Sequence, residues 1–284
     1  MTITVRYPDF KFENVEPHWA RDIEFAHQWN GTSVIPAYVE PYLIKVFESA
    51  RPLVKDEALQ RDMDLFMSQE RQHCVFHLKF NKILRERYPK IREYEQRLKA
   101  ELDEFLKNRP LRFHLAYAEG FESSFGVLNA RIWLDELHEF REGANPEALA
   151  LWDWHMAEEY EHREVCFNVY MALFGRGFFN WIVNGYFYRL YGAYFAMKHL
   201  GRHTARCMYH MLKEDWKTMT PEEVEASKAR AEALGKKIKK LMNRRMWALF
   251  SPFYNPRTKP EPQGFRKAVA QVMGDGVYAK TKNT

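Results

Sequence analysis

Residues 152–170, WDWHMAEEYEHREVCFNVY, wind into a helix whose inward stripe is apolar at both ends and ionisable in the middle. At 3.6 residues per turn, His155, Glu159 and His162 fall at i, i+4 and i+7. Leu151 or Trp152 extends that face on one side, Cys166 and Val169 on the other. Glu161 and Glu164 point away and read as solvated, with Glu158 on the border. A buried carboxylate without a partner is costly, so a chain with this stripe must fold around something that neutralises it. A second stripe has the same layout: Leu59, Met63, Phe66, Glu70, His73, Cys74, His77 and Leu84. Glu70–His73 and Glu159–His162 are both Glu-x-x-His pairs, in which a helix brings a carboxylate and an imidazole together from adjacent turns.

Two such pairs, with one glutamate from each of two further helices, make the donor set of a carboxylate-bridged dinuclear metal site in a four-helix bundle. Glu119 shares a face with Leu115, Gly126 and Trp133, and Glu40 shares one with Ile44 and Phe47. In chain order the set is therefore Glu40, Glu70 and His73, Glu119, Glu159 and His162. Pro41 biases Glu40 away from helical geometry. Glu122, one turn after Glu119, either competes with it or hydrogen-bonds to a ligand. His155 is a further nitrogen ligand or a support to one, and His77 is substrate-facing or a core histidine. Cys74 and Cys166 read as small buried fillers. A third pair, Glu24 and His27, lies outside the pattern and reads as background. Two divalent cations would keep four clustered glutamates ionised. The alternative, a network of these groups with lysine and arginine, has few cations on the stripes to build it.

The remaining punctuation predicts an all-α fold. Asn145 and Pro146 open a helix that Gly175 stops, and Thr220, Pro221 and Glu223 form a capping box. Residues 56–87 read as one helix closed by Pro89, another runs from Pro110 to about 140, and an earlier one lies near 33–50. The charged connection at 88–109 reads as helical or loop. We expect an N-terminal segment over 1–30, the four-helix core over 31–175, and an aromatic-rich helical extension with a C-terminal tail over 176–284, loose in its last ten residues.

Within the extension, FFNWIVNGYFYRLYGAYFAM is crowded with aromatic residues but interrupted by Asn180, Asn184 and Arg189. It is read either as extra helices against the bundle or as a membrane-facing surface, and the basic, apolar stretch KKIKKLMNRRMWALF at 236–250 suits the latter. Peripheral membrane contact through 178–250 is thus one expectation and a homodimer another. A net charge of +5, with basic residues mostly scattered, argues against nucleic acid as partner. Three distant cysteines with no CxxC spacing fit a reducing cytoplasm. The start, MTITVRYPDF, does not read as a signal peptide, and no uninterrupted apolar run is long enough to span a membrane.

SQERQHCVFH, AEGFESS and above all WDWHMAEEYEHREVCFNVY resemble the ferritin-like proteins known as predicted metal-dependent hydrolases, over roughly residues 30–200. The segment AYVEPY departs from that pattern in having no small residue before Glu40 and a proline after it. The His155–Glu159–His162 spacing is also similar to the ligand helix of the di-iron arylamine N-oxygenases, which implies that His155 binds metal. Three functions remain open. The leading one is a di-iron enzyme that activates dioxygen to oxidise a small apolar or aromatic substrate, using an electron donor; carboxylate and imidazole ligation without thiolate suits iron, manganese or a mixed pair. The alternative is a hydrolase with a dimetal-activated water, and the third is non-catalytic metal binding.

Overall fold

A computed structural model describes residues 3–274, and within them the protein is all-α, with no strand. The tail expected over the last ten residues lies outside the described residues. The main helices are α1 (Ile23–Ser33), α2 (Pro36–Ala50), α3 (Glu57–Arg87), α4 (Ile91–Asn108), α5 (Leu111–Phe121), α6 (Val127–Glu136), the single turn α7 (His138–Arg141), α8 (Pro146–Glu161) and α9 (Val165–Phe174). The short α10 (Phe178–Asn180) leads through a π-helical stretch, Trp181–Tyr188, into α11 (Arg189–Trp216), followed by α12 (Pro221–Met246) and α13 (Phe265–Gly274).

Local chemistry accounts for the boundaries. The Asp56 carboxylate accepts from the amides of Ala58 (2.9 Å) and Leu59 (3.1 Å) to start α3. Asn145 does the same for α8, and Thr220 with Glu223 closes the expected capping box on α12. The connection at 88–109 is helical, as α4.

Three expectations need correction. Pro41 does not keep Glu40 out of a helix: α2 runs through it, giving up only the bond that the missing N–H would have made. The helix expected from Pro110 to about 140 is α5, a π turn at Glu122–Gly126, α6 and α7. The helix expected over 145–175 breaks after Glu161, so His162 caps α8 instead of lying within it.

The main hydrophobic core runs from Ile3 to Ala268, with a small second cluster of Leu128, Leu249 and Tyr254 beside it. Trp29, Trp133 and Trp152 stack edge to face at its centre, with ring centroids 4.5 and 4.7 Å from Trp29. α11 lies along α5 and α1, and α2 along α3. The irregular N-terminal segment straps the far side of α3 and α8, where Phe10 meets Phe76 (5.2 Å) and Trp154 (5.8 Å). That strap proves important for the charged interior.

Candidate metal centre

Six of the seven side chains expected from the sequence as ligands, all but Glu119, lie together with Glu122 in two groups that share Glu159. Glu40, His73, His155 and Glu159 form the first group; Glu70, Glu122, Glu159 and His162 form the second, and within each the donor atoms lie within 4.8 Å of one another. None of these residues is more than 3% exposed. Glu159 Oε1 faces the first group, 3.2 Å from His155 Nε2 and 3.7 Å from His73 Nδ1. Its Oε2 faces the second, 3.5 Å from His162 Nε2. Glu70 Oε1 also looks both ways, 3.4 Å from His162 Nε2 and 3.8 Å from His73 Nδ1.

The outward nitrogens of the three histidines fix what the inward ones present. Asn81 donates its amide N–H to the Ser33 carbonyl (3.1 Å), so its Oδ1 accepts from the Ser33 hydroxyl (2.7 Å). Ser33 Oγ therefore accepts from His77 Nδ1–H (2.8 Å), and His77 Nε2 accepts from His155 Nδ1–H (2.8 Å). That leaves His155 Nε2 a bare lone pair aimed at the glutamates. Gln69 donates to Glu161 Oε2 and the Thr4 carbonyl, so its Oε1 accepts from His162 Nδ1–H (3.0 Å). His73 Nε2–H donates to Glu158 (3.1 Å). Lone pairs and carboxylate oxygens thus meet with nothing of opposite sign between them. Both oxygens of Glu40, Glu70, Glu122 and Glu159, with His73 Nδ1 and His162 Nε2, lack any hydrogen-bond partner; His162 Nε2 is 3.2 Å from Glu122 Oε2 but misaligned. A donor set of bare nitrogens and unpartnered carboxylates fits cations and little else.

The electrostatics of the protein alone agree. Burial, reinforced by Glu159, pushes the Glu122 carboxyl up to about 8. Burial and neighbouring carboxylates hold Glu40 and Glu70 well above the usual carboxylate range. Burial lowers His73 and His77. His162 is raised despite burial, because Glu159 and Glu122 face it, and Glu159 is lowered despite burial by His162 and His155. Protons are the substitute counter-charge.

Glu119 requires correction. Expected as a ligand, it is absent from both groups: its Oε1 accepts from Arg189 (3.2 Å) and from Ser123 (2.8 Å). Arg189, on α11, is buried, so the extension neutralises this carboxylate. The π turn widens the helix at Glu122 and seats that side chain in the centre instead. Gly126 ends the turn against it, and a β-carbon there would collide with Glu159 Oε2. Glu161, expected to be solvated, is buried, as is Glu158. Arg6 from the N-terminal strap spans both, 3.1 Å from Glu158 Oε1 and 2.6 Å from Glu161 Oε1. Arg6, Ser33 and Asn81 had no motif to mark them, and Gln69, though inside SQERQHCVFH, had nothing to single it out. His77, left open between substrate and core, is an orienting group for His155. Cys74 and Cys166 are buried free thiols outside both groups.

Two other clusters are hydrogen-bond hubs. Asn30 accepts from Trp19, so its amide N–H faces His27 Nδ1, and His27 must offer Nε2–H to Asp215 (2.6 Å). The background pair diverges, since Glu24 is held by Arg230 (3.0 Å). His199 and His203 both approach Glu101 Oε2 at 2.8 Å, where each serves as a donor.

A model of the family described as predicted metal-dependent hydrolase matches residues 4–259. The chain belongs to that family. The match takes in every residue of both donor groups and the Arg6 strap. Neither the curated proteins nor the solved structures contain a match. No helix among the described residues is long and apolar enough to cross a membrane.

Proposed function

We propose that this protein is a dinuclear-metal hydrolase acting on an ester, amide or phosphoester with an apolar or aromatic group. One divalent cation is held by Glu40, His73, His155 and Glu159, the other by Glu70, Glu122, Glu159 and His162, with α2, α3, α5–α6 and α8 as the ferritin-like bundle around them. The observation that carries the reading is Glu159, whose two oxygens face separate donor groups. Nitrogen and carboxylate donors without thiolate suit iron or manganese. Such a pair supplies a water acidified toward neutral pH and an electrophile for a carbonyl or phosphoryl oxygen. The chain's own groups do the rest. His77 holds the His155 tautomer, Glu158 retains the His73 Nε2 proton, and Phe66 and Trp154 pack edge-on against His162 (4.9 Å) and His73 (4.8 Å), excluding water.

The depth of the centre favours a second reading, activation of dioxygen by two irons, since a diatomic reaches a buried site more easily than an ester. The two are separated by loading the protein with iron or manganese and assaying a panel of aryl esters, amides and phosphoesters beside oxygen uptake after reduction. Hydrolysis lost in Glu159→Gln, with no oxygen uptake, supports the proposal. Oxygen uptake without hydrolysis overturns it in favour of the second reading. Metal retained with neither activity leaves the centre non-catalytic.

A further inference from the structure

Bulky apolar side chains are normally the most buried in a fold, yet one region of this protein reverses the rule. Phe179 is 80% exposed, Trp247 76% and Phe253 84%, with Phe178, Val183 and Phe187 also open to solvent. They come from two segments that touch: Tyr186 donates its hydroxyl to the Phe250 carbonyl (3.0 Å), and the rings of Trp181 and Phe253 lie 6.3 Å apart. Gly177, at φ 85°, turns the chain immediately before the exposed Phe178 and Phe179. The exposed aromatic run continues along one face of α11 as Tyr191 and Tyr194, ending at Lys198.

The two segments themselves carry charge of one sign. No Asp or Glu occurs between Glu164 and Glu214, or between Glu232 and Glu261. Arg176, Lys198, Lys239 and Lys240 are exposed cations with no ion-pair partner among the described residues. A symmetric contact between two copies would place this patch against itself and bring the unpaired cations of both copies together. Exposed aromatic side chains on segments that also carry unpaired lysine and arginine match the chemistry of an anionic lipid surface: Trp and Phe enter the headgroup boundary while the cations meet its negative potential.

We propose that the exposed aromatic face built from residues 178–194 and 247–253 docks the protein peripherally on anionic membranes. This inference is independent of the metal centre, and its test does not read activity. The metal-loaded full chain is floated with phosphatidylcholine vesicles with and without phosphatidylserine. Binding is expected to the anionic vesicles, to weaken with salt, and to fall roughly five-fold for each of Lys239 and Lys240 replaced by alanine. Phe179→Ser/Trp247→Ser/Phe253→Ser is expected to abolish it while melting with the wild type, because those side chains are solvent-exposed. No flotation with phosphatidylserine, or flotation untouched by either variant, overturns the proposal. So does a dimer in light scattering that the triple substitution dissociates, which would assign the face to a second copy.

Discussion

Glu159 and Glu119 are both fully buried glutamates, yet their partners give them opposite roles. Glu159 has only bare nitrogens and other carboxylates around it, so Glu159→Ala should empty both cation positions, read as metal per chain by elemental analysis. Glu119 has Arg189. Glu119→Ala should leave metal content unchanged but strand a buried guanidinium, costing about 3–5 kcal/mol in denaturant unfolding; loss of metal would place Glu119 in the centre after all. Glu70, His73, Glu159 and His162 were legible in the sequence because the i, i+3 spacing that brings donors together also marks them. The exchange of Glu119 for Glu122 was not, since a π turn leaves no periodic trace. Arg6 was invisible for a different reason: it is a lone basic residue in an irregular segment, and only tertiary packing brings it to Glu158 and Glu161.

At the level of elements, capping chemistry located the starts of α8 and α12 correctly, since an N-cap side chain acts on amides two or three residues away. Breaks set by distant contacts escaped the same reasoning, and the turn at His162 is the clearest. A continuous helix was expected there, but the chain leaves α8 at Glu161 and His162 caps it with its ring held by Gln69 and Phe66. The π turn matters most for function. Gly126→Ala puts a methyl group against Glu159 Oε2 and within 3.2 Å of Glu122 Oε2, so we expect a folded, helical protein that loses the Glu70–Glu122–Glu159–His162 cation. Circular dichroism with metal analysis checks this; full metal content in that variant would mean the turn is not the seat of Glu122's role. The N-terminal strap carries a parallel expectation. Arg6→Ala leaves Glu158 and Glu161 buried without their cation and should weaken metal retention through His73 and His162, although Arg6 touches neither.

Across the whole molecule, burial of this many like charges ties stability to pH. Glu122 and Glu158, each raised to about 8 mainly by burial, together with Glu40, Glu70 and His162, hold protons in the folded chain that the unfolded chain has released. Stability from these groups is therefore lost as pH rises. His73 and His77, lowered by burial, act in the opposite sense only below their ordinary 6.5. Between about pH 6.5 and 8 the chelator-treated protein should lose thermal stability while the metal-loaded protein holds, widening the gap in Tm; a constant gap would mean that these carboxyls do not carry the shift. The all-α class was readable from punctuation alone, whereas the strap and the α11 contact that neutralise the interior arise from chain segments far apart in sequence. The central claim is that cations balance the buried carboxylates, and metal content of the purified protein at neutral pH tests it most directly. The account predicts two divalent ions per chain, with both lost in Glu159→Ala; a folded wild-type protein that binds none, and melts identically with and without chelator, would contradict it.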